Sequence, residues 1–332
     1  MTNVLGRAGA GLWPFRILVA VLLVVLMSGK SQAAAVCTAS VNAINFGNVN
    51  LASGTNTDVQ STMYIGCSSI TPGTTVKMCP SINIGSGGWN GTYRTMLGPS
   101  GATLIYQLFQ DAAYSQPWGS LATPQLGTVP VISIPRDSSG NGNVAVPIYG
   151  RLPSGQGGSP PGSYSTLFTG TDALFRYREM TGSLGTCTGF TGTAVTSPTF
   201  NVVAQPVSAC VFTVSDLNFP TSTLLSTPVT GQTTLTATCA SQANYTIALD
   251  NGLYGTGPTA RIMRSASSAN VTYGLYRDSA RSMPWGTVAS GQAQSGTGTG
   301  SGQVYIIYGR VPAQPTATPG TYTDRIVVTI AY

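Results

Sequence analysis

Cys37 and Cys67 enclose a segment carrying Asn45-Phe46, and Cys210 and Cys239 enclose one of nearly equal length carrying Asn218-Phe219. The correspondence continues downstream. YQLFQDAAYSQPWG from Tyr106 returns as YGLYRDSARSMPWG from Tyr273, YGRLP at Tyr149 as YGRVP at Tyr308, and PGSYS at Pro161 as PGTYT at Pro319. Five blocks in one order mark a duplicated unit, so whatever this chain folds into, it does so twice. The seam falls near AQPVSA, ahead of Cys210. It separates a first domain at 36–204 from a linker at 205–209 and a second domain at 210–332.

Within each copy, short alternating runs are separated by Gly, Pro, Ser and Thr turns, and no helix-length period of 3.6 residues occurs after residue 35. The expected fold class is all-β, two tandem immunoglobulin-like sandwiches. Composition agrees, because charged residues are only 7% of the chain while 41 glycines supply turns. Trp118 and Trp285, and likewise Tyr164 and Tyr322, hold matched places and are expected to support the fold. Residues present in one copy only are the better candidates for function.

Ahead of the first copy, Arg7 and Arg16 precede the apolar run Ile17–Met27, and SQAAA follows. That order predicts a secretory signal peptide over residues 1–35, cut after Ala35; the 11-residue apolar run is too short to span a bilayer. Loss of Arg7, Arg16 and Lys30 lowers the net charge from +6 to +3, and the remaining arginines are scattered, so no nucleic-acid partner is expected. All six cysteines follow the leader without a CxxC pair, which in an oxidising compartment favours disulfides over metal ligands. Histidine is absent. That removes the commonest general base and metal ligand, so neither an enzyme nor a cofactor is expected.

The two copies differ at their ends. The second stops on TYTDRIVVTIAY, where Ile326, Val328, Ile330 and Tyr332 alternate with Val327, Thr329 and Ala331, the pattern of a buried interior strand. The first continues through LFTGTDALFRYREM, a Gly-rich loop and TAVTSPTFNVVAQ, whose Phe200, Val202 and Ala204 share one face. By this count the second sandwich lacks its seventh strand. About five side chains left uncovered at roughly 1.5–3 kcal/mol each rival the ~5–15 kcal/mol stability of a whole domain. The groove at Ile326, Val328, Ile330 and Tyr332 is therefore expected to take a strand from another chain. Only Val36 would precede Cys37 after processing, too little to donate a strand in return, which would place the subunit at one end of a head-to-tail fibre.

The blocks Cys37…NFG…Cys67, YQLFQD…PWG, YGR(L/V)P, PG(S/T)Y and the terminal VVTIAY resemble the spore coat protein U domain, the pilin module of archaic chaperone-usher pili. A two-domain form without a donor arm is similar to the tip adhesins of Csu-type pili. The resemblance implies a periplasmic chaperone that covers the open groove, an outer-membrane usher, and an adjacent pilin that donates its strand. It also implies secretion through the periplasm to a pilus tip on the bacterial surface, and attachment to abiotic hydrophobic or host surfaces, with biofilm formation, through apolar loops.

Cys79 and Cys187 have no counterparts in the second copy. If Cys37–Cys67 and Cys210–Cys239 are the matched bridges, Cys79–Cys187 is the third, one arrangement among roughly 15. It is expected to tie two loops together at the end opposite the linker. One is GSGGWNGTYRTMLGPSGA, with Trp89, Tyr93, Met96 and Leu97; the other is EMTGSLGTCTGFTG, with Met180, Leu184 and Phe190. A third candidate is the extra length between Trp118 and Tyr149, which carries Leu126, Val129, Val131 and Ile132. Bulky apolar residues in such turns read as a surface-binding set, with burial in the core as the alternative. GSGGWNG and GTGTGSG carry no Lys, and DSSGNGN at Asp137 has no closing Glu, so neither phosphate nor calcium binding is expected. Two other readings remain open: a minor structural pilin or coat protein without ligand, and a lectin-like binder using Trp89 with Asn90 and Arg94.

Overall fold

The computed structural model describes residues 34–332; the expected leader lies outside the described residues except for Ala34 and Ala35. The first sandwich contains β1 (Val36–Val41), β2 (Ile44–Val49), β3 (Thr57–Ser68), β4 (Thr75–Ile82), β5 (Arg94–Leu97) and β6 (Thr103–Phe109). It continues with β7 (Ile132–Pro135), β8 (Gly142–Leu152), β9 (Tyr164–Phe168), β10 (Ala173–Met180), β11 (Thr193–Ala194) and β12 (Phe200–Pro206). An eight-stranded sheet ordered β1-β3-β8-β6-β5-β9-β12-β2 packs against a four-stranded sheet ordered β11-β10-β4-β7. Period-two alternation builds the core between them. In β12, Phe200, Val202, Ala204 and Pro206 point inward while Asn201 and Gln205 are exposed.

The second sandwich repeats the plan with β13 (Cys210–Val214), β14 (Val229–Cys239), β15 (Asn244–Leu249), β16 (Arg261–Ser265) and β17 (Asn270–Tyr276), followed by β18 (Gln294–Thr297), β19 (Gly302–Val311), β20 (Tyr322–Thr323) and β21 (Val328–Ala331). Its sheets are ordered β13-β14-β19-β17-β16-β20 and β18-β15-β21. Among the described residues it has no counterpart of β11 or β12. The terminal strand is consequently not the buried interior strand its sequence suggests. β21 pairs with β15 alone, and Val327 and Tyr332 are 51% and 61% exposed.

The repeated sequence blocks are repeated contacts. Cys37–Cys67 and Cys210–Cys239 each join directly paired residues of neighbouring strands. The indole N–H of Trp118 donates to the Pro80 carbonyl at 2.9 Å, and that of Trp285 to Ile247 at 3.0 Å. The Tyr164 hydroxyl bonds the carbonyl four residues upstream, and Tyr322 does the same. The aspartates of the two …D…PWG blocks, Asp111 and Asp278, accept backbone N–H bonds from Gln116 and Met283, which hold both carboxyls below the ordinary range.

A buried arginine stands at the matched start of β5 and of β16. Arg94 is fully buried and donates to the carbonyls of Ile82, Asn83 and Trp118 and to the Gln107 side chain. Burial draws its pKa down to about 10. Arg261, also fully buried, binds the carbonyls of Asp250 and Trp285. Each guanidinium ties the end of a strand in the smaller sheet to the PWG loop. An Arg94→Met variant leaves three carbonyls without this donor at about 1–3 kcal/mol apiece. Urea unfolding should show the first sandwich destabilised by several kcal/mol, and an unchanged midpoint would refute this role.

Candidate functional site

In the first sandwich, β12 fills a slot with a different neighbour on each side. It runs antiparallel to β9, with Phe200 opposite Phe168 and Ala204 opposite Tyr164, and parallel to β2, with Val202 opposite Ile44 and Pro206 opposite Val49. The rings of Phe168 and Phe200 stack at 4.7 Å. In the second sandwich the slot is open. The place of β9 is taken by the two residues of β20, and that of β2 by Leu217–Phe219, which form no strand. Between them lies a groove of about 390 Å³ whose apolar walls include Leu217, Phe219, Met263, Leu275, Ile326 and Val328. At its side the Tyr273 hydroxyl donates to Asp324 at 2.8 Å, and burial, reinforced by that carboxylate, pushes the phenol pKa up.

Of the four residues expected to line this groove, Ile326 and Val328 do so. Ile330 packs half-buried against the domain core, and Tyr332 stands beside a separate shallow cleft with Asn244 and Thr246. The inward positions run from Ile326 into β21 and away from the slot, so only the first two reach it. Leu217 and Phe219 were legible through the repeated Asn-Phe pair: Phe46, on the strand paired beside β12, is 7% exposed, whereas Phe219 is left half-buried. The open slot also reaches β13. Phe212 and Val214 are 42% and 45% exposed, whereas their counterparts by cysteine register, Ala39 and Val41, are half-buried and buried.

The apolar loop residues of the first sandwich are not gathered at one end. Cys79–Cys187 is bridged. However, residues 83–93 leave β4 at Ile82, opposite Ala173, and residues 181–192 leave β10 at Met180, opposite Thr75. In an antiparallel pair these are opposite ends. The second loop doubles back over the outer face of the smaller sheet to reach Cys79 in mid-strand. There Lys77, 3% exposed, donates to the Thr186 carbonyl and lies 4.5 Å from the Phe190 ring centroid, with Arg178 at 5.0 Å on the same ring. Burial, then the Arg178 charge, lowers the Lys77 pKa. Phe190 is thus engaged in holding its own loop down.

Met96 and Leu126 are buried in the core, at 0% and 1% exposure, because Met96 takes the inward phase of β5 and Leu126 folds under its turn. Val129 and Val131 are half-buried, and Ile132 enters β7 opposite Met78. Trp89, Tyr93, Met180 and Leu184 are half-buried. Leu97 alone of the set is well exposed, at 49%. It lies opposite Ser165 on the outward face of β5 and β9, where Leu167 is 40% exposed. Leu167 was overlooked although it sits in the outward phase of YSTLF. Arg94, bonded to three carbonyls, is not free to meet a sugar hydroxyl, which removes one leg of the lectin reading.

The model of the Spore Coat Protein U domain matches residues 23–171 and 196–329, one segment for each copy of the repeat. The chain belongs to this family. Among family relatives, "Protein U" of Myxococcus xanthus is 34% identical over 108 residues, which are 31% of this chain; the chain spans 60% of that relative's length. A chain in the crystal structure of the CsuC–CsuE chaperone–tip adhesion subunit pre-assembly complex, from the archaic chaperone-usher Csu pili of Acinetobacter baumannii, superposes with a TM-score of 0.55 at 16% identity. The superposition covers 90% of this chain and 100% of that one. At that identity the likeness is one of fold.

Proposed function

We propose that this chain is the tip adhesin of an archaic chaperone-usher pilus. The second sandwich accepts a strand from the adjacent pilin; the first attaches the fibre to a surface and promotes biofilm formation. The groove between β20 and Leu217–Phe219 carries this reading, because it lies where the first sandwich keeps β12. On this reading a periplasmic chaperone covers the groove in transit, an outer-membrane usher secretes the subunit, and the protein ends on the cell surface at the pilus tip. Pull-down from periplasm should recover one chaperone with the whole chain, and recovery should fail once the groove is filled by an appended strand.

Attachment is assigned to the outward face carrying Leu97 and Leu167, with Tyr93 and Trp89 on the adjoining hairpin. Apolar contact needs no geometric match and scales at roughly 25 cal/mol per Å². Replacing Leu97 and Leu167 by Asn should leave pili assembled while reducing attachment to polystyrene several-fold, with added salt doing little to the unmodified protein. A structural subunit without ligand is the second reading, favoured by the burial of Met96 and Leu126. Undiminished attachment by the double variant would support it.

A further inference from the structure

The inward face of β1 begins one residue before the strand itself. Burial alternates from Ala34 onward: Ala34 is exposed, Ala35 buried, Val36 exposed and Cys37 buried. Ala35 is 7% exposed and belongs to the core cluster that also holds Cys37 and Tyr177. Its carbonyl accepts the Tyr177 hydroxyl at 3.0 Å in a buried contact. Its N–H meets the Glu179 carboxylate, where Thr74 also donates at 3.2 Å. Burial pushes the Glu179 carboxyl up, but these donors and the Thr71 amide outweigh it and hold it below the usual carboxylate range. Two successive inward positions near the end of β10, Tyr177 and Glu179, are thus spent on fixing one alanine.

A cut after Ala35 would remove that residue from the folded domain. The Tyr177 hydroxyl would lose its acceptor in a dry site, and a buried polar group without a partner is expensive. SQAAA contains a second pair of small residues with the required spacing, Ser31 and Ala33. We infer that the leader is removed between Ala33 and Ala34, so that the mature chain keeps Ala34 and Ala35 and starts as AAVC. The step is a hydrolysis by a signal peptidase: the Ala33–Ala34 amide breaks, water adds its hydroxyl to the Ala33 carbonyl, and its proton goes to the new amine of Ala34. That amine stands one residue ahead of the Glu179 contact, on an exposed position. The inference rests on export of the chain and not on what the first domain attaches to, so failure of the adhesive reading leaves it intact.

N-terminal sequencing of the exported full-length protein, with intact mass as a check, should give Ala34 as the first residue. Val36 or Ala35 as the first residue would overturn the assignment. A second measurement addresses the reason. The first-domain melting temperature of a chain starting at Val36 should fall below that of one starting at Ala34 by at least a few degrees, roughly 2–4 °C or more for a domain of this size. Tyr177→Phe should lower the melting temperature of the Ala34 form and leave the Val36 form nearly unchanged. Equal effects of Tyr177→Phe in both forms would refute the role given to Ala35.

Discussion

Appending residues 198–206 of this same chain after Tyr332, through a flexible linker, should give the second sandwich a cooperative melt well above that of the unmodified protein. The segment carries Phe200, Val202, Ala204 and Pro206 on its inward face, and it already fits the equivalent slot of the first sandwich. Burying a Phe or Val contributes about 1.5–3 kcal/mol each, and the groove walls at Leu217, Phe219 and Met263 would be covered at the same time. Part of this gain offsets the entropy of ordering the strand, and the remainder should appear as a higher melting temperature of the second sandwich. Differential scanning calorimetry on the whole chain separates this from the first domain, whose transition should stay in place. Residues 206–332 alone should aggregate, and the same fragment with the appended strand should be soluble. A longer insert, residues 193–206, should stabilise further, because the free edge of β21, at the place where β10 pairs with β11 in the first sandwich, lies beyond the reach of the shorter one. An appended strand with Val202→Asp should do nothing. If that variant stabilised as well as the native segment, or a bare 206–332 fragment melted cooperatively as a monomer, the groove would not be a strand site.

Removal of Cys79–Cys187 by a double alanine substitution should have the next largest effect. The bridge spans a sequence separation of 108, for which the chain-entropy account gives roughly 4–5 kcal/mol. The loss should fall on the first domain alone. It should also release the loop over Lys77, whose ammonium is held by the Thr186 carbonyl and the Phe190 ring. Lys77 is the single lysine among the described residues. Amine acetylation followed by peptide mass spectrometry should therefore find Lys77 slow to react in the intact protein and fast in the double variant. Equal rates would mean that the loop stays in place without its bridge.

What the sequence made legible, and what it did not, divides along physical lines. The duplication, the all-β class and the lack of a β12 counterpart among the described residues of the second copy were readable because they depend on block order and strand count. The pairing of Cys37 with Cys67 and a fold-supporting place for Trp118 followed from the same repeat. Residues whose place depends on where a chain turns were not readable. Residues 83–93 and 181–192 look like neighbours once Cys79 and Cys187 are joined, yet a loop can fold back along a sheet to reach mid-strand, and this one does. Bulk among glycines likewise did not mean exposure: Met96 fell in the inward phase of β5, while Leu97 beside it fell outward. Period-two phase, which Leu167 also obeys, was the better guide.

The placement of β12 bears on how the first domain carries load. The strand is held on one side by β9 and on the other by β2, and the three residues Val207–Ala209 then lead directly into the second sandwich. Tension along a fibre would enter the domain through Pro206 and pull β12 along its own axis. Both ladders are then loaded in shear, and their hydrogen bonds must yield together instead of opening one after another from an end. The strand that completes the core is thus also the one through which a pull from the linker is first resisted.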